Sequence, residues 1–162
     1  MKFAHLADCH IGGWSELKLK DLGMQVFSKT IDICIEKKVD FVLIAGDLFN
    51  TALPSIDLIK QVTLDLKKLK DSETPCYIVA GSHDYSPSGK TMLDVFENAG
   101  LVINVARFDG DNLKFITDKK TGIKLTGIFG RAGGLEKSYY ENLNREYLEN
   151  ENSKKIFMFH TT

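Results

Sequence analysis

The stretch FVLIAGDLFN, residues 41–50, decides how this chain folds. Its first five residues are all apolar, and an unbroken apolar run of this length is typical of a strand buried on both faces of a parallel sheet. Gly46 then lets the backbone approach its neighbours closely, and Asp47 carries a carboxylate to the rim of the sheet. The stretch therefore predicts a buried strand that ends in an acidic group.

Three further apolar runs end in Asp or His: residues 3–7 before Asp8 and His10, residues 76–80 before His83 and Asp84, and residues 156–159 before His160. Strand ends that bring carboxylates and imidazoles to one rim predict a site for divalent metals. This mixture of ligands suits manganese, iron or zinc better than calcium. Two such ions, about 3.5–4 Å apart, form a clamp for displacement at phosphorus.

The segments between the first strands are predicted helices. An apolar stripe runs through residues 17–39, a second helix covers residues 56–69 with Ser55 as its N-cap, and a short third helix covers residues 91–98. A strand, a helix and a second strand in this order form a crossover, which pairs the two strands in parallel.

The second half of the chain predicts a different arrangement. Residues 101–105, 113–117 and 123–128 have the composition of strands, and residues 119–122 that of a hairpin turn. A charged surface helix is expected over residues 135–150, followed by the last strand at 155–159. We therefore expect one α/β domain over residues 1–162.

Composition limits the functional classes. With 43% hydrophobic residues the chain can form a real core, and its formal charge of −1 leaves nucleic-acid binding to a local basic patch. Its three cysteines are far apart and show no disulfide framework, which fits a reducing cytosol. We find no membrane span and expect a cytoplasmic or nucleoid-associated protein.

The residues around the first strand have competing interpretations. Asp8 and His10 lie two apart at a strand end, so strand alternation would point both to one side and let them chelate a metal. The plainer alternative is a capping Asp beside a surface His. Cys9, between them, is expected to point into the core, and His5 to be a hydrogen-bonded histidine that is either interior or adjacent to the metal ligands. Asp47 has two oxygens and can bridge two cations, although an Asp after a strand is common in α/β proteins.

The residues after the third strand supply the remaining chemistry. His83 can donate a proton to a leaving oxygen, and Asp84 can orient it. In the loop that follows, Tyr85, Ser86 and Lys90 offer hydroxyl and ammonium donors to phosphates. The alternative interpretation is a solvated polar turn.

Together these motifs resemble the calcineurin-like metallophosphoesterases, which are marked by Asp-x-His, Gly-Asp-x-Phe and Gly-Asn-His-Asp/Glu. The matching segments are Asp8 to His10, residues 46–49 and residues 81–84, with His160 as a later single histidine. Residues 5–12, 46–49 and 81–100 are most similar to the SbcD-type DNA double-strand-break repair nucleases. The resemblance implies a four-layer fold, a β-sandwich flanked by helices.

The resemblance also implies roles for residues and partners. Asp8 and His10 would hold one manganese ion, Ser82 and His160 a second, and Asp47 would bridge them. His83 would be a catalytic histidine outside the metal shell. The expected partners are DNA, an SMC-like ATPase subunit and a second copy of the chain, contacted through the helices at 56–69 and 91–98.

The sequence departs from the family pattern in three places. Ser82 replaces the usual Asn, and Asn50 stands where some members have a histidine that steers DNA, so we expect Asn50 beside the substrate. The later Gly-His-x-His pair would lie beyond residue 162. We therefore expect a domain truncated at its C-terminal end, weakly active or inactive by itself.

Two other functions compete with the DNA nuclease. One is a small-molecule phosphodiesterase or phosphoprotein phosphatase on the same fold. The other is a non-catalytic DNA-binding scaffold with a degenerate metal site, which Ser82 and the missing histidines favour.

Overall fold

The computed structural model of the chain describes residues 1–86, 88–110 and 112–161. Its strands are β1 (Phe3–Leu6), β2 (Phe41–Ala45), β3 (Cys76–Val79), β4 (Ile103–Asn104), β5 (Phe108–Asp109), β6 (Asn112–Leu113), β7 (Ile116–Thr117), β8 (Lys124–Ile128) and β9 (Lys155–Phe159). Its α-helices are α1 (Leu17–Glu36), α2 (Ile56–Asp71), α3 (Met92–Asn98), α4 (Lys137–Glu141) and α5 (Arg145–Glu149).

The first sheet is parallel, with strand order β1-β2-β3-β4. Its central strand β2 is buried along its whole length, as the apolar run predicts. One face of this sheet packs against the helices, through Ile44 and Ile78 on the strands and Phe27, Ile31 and Leu66 on the helices. The crossover prediction is confirmed, and the carboxyl ends of β1, β2 and β3 meet at one edge.

The second sheet has the order β7-β8-β9, with β7 antiparallel and β9 parallel to β8. It faces the first sheet across a second apolar cluster that includes Phe41, Leu43, Tyr77, Leu125 and Met158. Helices, sheet and sheet thus form three of the four predicted layers, with the predicted β-sandwich at their centre. A helix layer on the outer face of the second sheet stays a prediction. The parallel β8–β9 pairing carries residue 160 to the same edge as the ends of β1, β2 and β3.

Two elements predicted for the second half of the chain are wrong, because each is divided in the structure. The single strand expected at 113–117 is divided between β6, which forms a hairpin with β5, and β7. The single helix expected at 135–150 is two short helices: the first ends at Glu141 with Asn142 as its C-cap, and Asn144 caps the second by accepting a hydrogen bond from the Tyr147 N–H at 3.1 Å. Asparagine competes with helix continuation in this way.

Two smaller predictions have different outcomes. The turn at residues 119–122 does join antiparallel strands, closed by a hydrogen bond of 2.8 Å from the Gly122 N–H to the Asp118 carbonyl. Ser55 is the residue before α2, but its side chain makes no capping hydrogen bond. Instead its carbonyl accepts from the Ile59 N–H at 3.1 Å.

His5 is exposed, so the expectation of an interior histidine is wrong. The reason is that β1 is an edge strand and its partner sheet does not cover it: Phe3, beside it, is also exposed. Cys9 does pack against the core, as expected. Among the residues that the structure describes, no helix combines the length and apolar character that crossing a membrane requires.

Candidate metal centre

The loops after β1 and β2 are joined by hydrogen bonds into one rim. The Asp8 N–H donates to the Gly46 carbonyl at 3.2 Å, and the His10 N–H donates to the Asp47 carbonyl at 2.9 Å. Asp8, His10 and Asp47 all have positive φ, 52°, 42° and 51°. Such values are uncommon for residues other than glycine and often occur at functional sites. The Asp8 and His10 side chains approach each other because of this left-handed backbone. Strand alternation, the expected cause, is wrong because β1 ends at Leu6.

Asp47 lies at the centre of the rim and is 2% exposed. Its Oδ1 accepts a hydrogen bond from the His83 backbone N–H at 2.9 Å. Its Oδ2 lies 3.6 Å from His10 Nε2 and 3.3 Å from His160 Nε2. One carboxylate oxygen therefore fixes the loop after β3, while the other faces two imidazoles that come from distant parts of the chain.

The three histidines of the rim all leave Nε2 free to bind a metal. His160 Nδ1 lies 3.0 Å from the Ala45 carbonyl, and His83 Nδ1 lies 2.8 Å from the Asn50 carbonyl. His10 Nδ1 lies 3.2 Å from Asn50 Oδ1. Because a carbonyl oxygen only accepts, each Nδ1 carries the proton and each Nε2 is left with a lone pair. In metal-ligating histidines, a hydrogen bond from the other ring nitrogen fixes the tautomer in the same way. The rim therefore fits divalent metal ions.

The ligand atoms form two groups, His10 with Asp47 and His83, and Asp8 with Asp47 and His160. Within each group the atoms lie within 4.8 Å of one another. Asp47 belongs to both groups, the position expected of a carboxylate that two cations share. The structure thus brings together five of the predicted residues, and it places His83 among the groups able to bind metal.

Two glycines make room for the ligands. A Cβ on Gly81 would collide with Asp47, 2.7 Å from Cγ and closer still to its Oδ1 and backbone nitrogen. A Cβ on Gly46, where φ is +84°, would overlap the His160 ring. The close backbone approach inferred for Gly46 is therefore an approach to His160. The role of Gly81 was not predicted from the sequence.

Asp84 holds the two loops together and does not orient His83. Its oxygens accept from the Gly81 N–H at 2.9 Å and the Phe49 N–H at 3.3 Å, whereas the His83 ring donates to Asn50. Burial raises the pKa of the Asp84 carboxyl, because water no longer stabilises its charge, and the negative Asp47 adds to this.

The other predicted site residues surround the rim. Ser82 is half-buried in the turn between β3 and His83, and its role as a ligand stays a prediction. The Ser86 hydroxyl is used inside its own loop, where it accepts from the Lys90 N–H at 3.1 Å. Lys90 is exposed, and the Tyr85 ring packs edge-on to Phe129. Asn50 holds two histidines, for which its place directly after Gly-Asp-x-Phe was the available signal, and its expected contact with substrate stays a prediction.

Similarity to known proteins confirms the family that these motifs indicate. The whole chain, residues 1–162, matches the calcineurin-like phosphoesterase family, and the chain belongs to it. Two similar proteins are each called DNA double-strand break repair protein Mre11. The one from Methanococcus maripaludis is 30% identical over 99% of this chain and 43% of its own length. The one from Archaeoglobus fulgidus is 36% identical over 63% of this chain and 24% of its own length. The chain thus spans less than half the length of these relatives.

Asn50→Ala should weaken metal binding about 10- to 100-fold, the usual effect of losing a partner that orients a metal ligand. The His10 ring would lose its acceptor, and its Nε2 would no longer be held toward Asp47. Asn50→Asp is the matched control, because it keeps an oxygen in reach of Nδ1. Competition with a chelating dye measures both affinities, and equal affinity for the alanine variant and the wild type would contradict this role.

Proposed function

We propose that this chain is the nuclease domain of a DNA double-strand-break repair protein and hydrolyses DNA phosphodiester bonds with two manganese ions. The observation that carries the proposal is the buried Asp47, shared by two groups of ligands at one rim. The names of the relatives support DNA as the substrate. Mixed carboxylate and imidazole ligands support manganese over calcium or magnesium.

In this proposal the residues have distinct tasks. Asp8, His10, Asp47 and His160 hold the ions, with Ser82 as a weaker ligand. Bound cations would supply charge for the phosphoryl oxygens and lower the pKa of water. His83 is exposed and its Nε2 carries a lone pair, so after taking up a proton it can protonate the leaving oxygen. The Asn50 carbonyl keeps that ring in place at the substrate side of the rim.

The partners are also proposals. We infer an SMC-like ATPase subunit, a homodimer and action on DNA in the cytoplasm or nucleoid. Exposed apolar side chains on α2 and α3, Ile56, Leu64 and Val95, support a contact between copies. Leu58 on α2 is 9% exposed and packs into the core of its own chain, so it is not part of that surface.

One assay series separates the candidate functions. The chain is incubated with manganese and, in parallel, with supercoiled DNA, linear DNA, a chromogenic phosphodiester and a phosphopeptide. We expect slow DNA cleavage that needs manganese and disappears in Asp47→Asn, which controls for contaminating nuclease. Turnover of the phosphodiester or phosphopeptide alone would favour the small-substrate enzymes and overturn the nuclease.

DNA binding without any turnover would favour the scaffold. Ser82→Asn tests that alternative directly, because an amide oxygen reaches further than a hydroxyl. A rise in cleavage in this variant, with anomalous scattering from two ions in a manganese-soaked crystal, contradicts the scaffold. No second ion and no cleavage in either form would contradict the nuclease.

A further inference from the structure

We propose that Arg131 binds a backbone phosphate of the nucleic acid beside the phosphate that is hydrolysed. This inference rests on the proposed function and extends it by naming a substrate-binding residue outside the metal groups. Nothing in the family motifs of the sequence points to Arg131. The proposal is based on the position of Arg131, its aromatic neighbours and its available charge.

Arg131 lies directly beside the candidate metal centre. It follows β8 by three residues, and Gly130, just before it, donates its N–H to the Ala80 carbonyl at 2.8 Å. A Cβ on Gly130 would lie only 2.6 Å from Cδ2 of His160. The backbone of Arg131 therefore begins directly after a residue that lies against the predicted ligand His160.

The guanidinium group is held by two aromatic rings. Its carbon lies 5.9 Å from the ring centroid of Tyr85 and 5.9 Å from that of Phe129, and these rings are 5.5 Å apart. Tyr85 directly follows Asp84, so the guanidinium lies between the loop after β3 and the loop after β8. The buried Glu136 accepts from the Arg131 backbone N–H at 3.3 Å and further fixes the residue. A cation over aromatic faces is stabilised without using its N–H donors.

The charge of Arg131 is available. Over residues 1–86, 88–110 and 112–161, its guanidinium belongs to no ion pair, and the side chain is half-exposed. Arg107, by contrast, pairs with Glu97 at 2.6 Å. A guanidinium can bind a phosphate through two parallel hydrogen bonds. With a formal net charge of −1 and several carboxylates at the rim, the chain needs a local cation to bring a polyanion there.

Tyr85 acts as a positioning residue through its ring. Its ring centroid lies 5.9 Å from the guanidinium carbon, so the ring and not the hydroxyl makes the contact with Arg131. The ring face toward Arg131 is the part that matters. Tyr85→Phe should therefore behave like the wild type, and Tyr85→Leu should weaken binding by releasing the guanidinium.

The test measures DNA binding without turnover. The 162-residue chain is titrated in EDTA with a fluorescein-labelled single-stranded oligothymidylate, and anisotropy is recorded from 20 to 200 mM salt. We expect Arg131→Gln to bind about tenfold more weakly and to lower the salt slope of the association constant by about 0.7, the value for one phosphate contact on a single strand. Arg107→Gln, the matched control, should change the affinity less than twofold.

The outcomes are separable. Equal affinity and equal salt slope for Arg131→Gln and the wild type would overturn the phosphate contact. A wild type that does not bind the oligonucleotide at all would also overturn it. Wild-type binding that depends on Arg131, with no ion at the rim in a manganese-soaked crystal, would overturn the two-metal nuclease and leave the contact standing. If Arg131→Gln fails to fold, Arg131→Lys decides: it should keep the salt slope, because the charge remains, and a lost slope would contradict the contact.

Discussion

Asp47→Asn is expected to abolish tight binding of both metal ions while the fold survives. The amide keeps an Oδ1 that can accept from the His83 N–H, so the loop after β3 retains its anchor. The change removes the negative charge and the second anionic oxygen, the one that faces His10 and His160. Losing a residue that only orients a ligand costs 10–100-fold in affinity, so losing a shared ligand should cost at least about 100-fold.

Thermal unfolding measures this loss independently of turnover. A ligand at 100 times its Kd stabilises the folded state by about 2.7 kcal/mol, and a 100-fold weaker Kd reduces that to about 0.4 kcal/mol. The wild type should therefore melt at a higher temperature in manganese than in EDTA, and Asp47→Asn should melt alike in both. DNA cleavage should fall about 1,000-fold or more, because several kcal/mol of transition-state stabilisation are removed.

Asp71→Asn is the matched control, since Asp71 is exposed at the end of α2 and, within the described part of the chain, pairs only with Lys67. It should bind manganese like the wild type. A metal-dependent rise in the melting temperature that persists in Asp47→Asn would mean that the ions bind elsewhere, and the two-group interpretation of the rim would fail.

The parts of the fold that follow from one dominant physical effect could be predicted. The run at 41–45 is apolar at every position, and only a strand covered on both faces buries all five side chains, so β2 and its crossovers were clear from the sequence. The stretch at residues 103–117 carries no such signal. Its strands β4 to β7 are two residues each, and their formation depends on tertiary contacts that composition does not encode.

The candidate site divides in the same way. Residue type identified Asp8, His10, Asp47 and His160, because few side chains can bind such metals. The features missed are backbone properties: the positive φ of Asp47, and the Asn50 carbonyl that sets the tautomer of His83. Side-chain chemistry does not report where a carbonyl points, so Asp84 was given the orienting role that Asn50 fulfils.

The second large effect is expected from Gly81→Ala, because the added methyl group would overlap Asp47. The overlap includes the Asp47 backbone nitrogen, which cannot rotate away as a side chain can. Relief requires the loops after β2 and β3 to separate, which would also stretch the hydrogen bonds from the Phe49 N–H to Asp84 and from the His83 N–H to Asp47. Forcing an extra methyl into a packed site typically costs 1–3 kcal/mol, and here the displaced group is the shared ligand.

We therefore expect Gly81→Ala to lower the free energy of unfolding by about 2–3 kcal/mol and to weaken manganese binding at least about 100-fold. Gly23→Ala is the matched control: it is also a glycine, but in the middle of α1, where an added Cβ meets nothing within 4 Å. That change should stabilise the protein by up to about 1 kcal/mol, because alanine favours a helix over glycine. Urea unfolding with and without manganese measures both variants. Wild-type stability and metal affinity in Gly81→Ala would show that the rim can open without losing its ligands, and the close contact between Gly81 and Asp47 would then have no part in holding the metals.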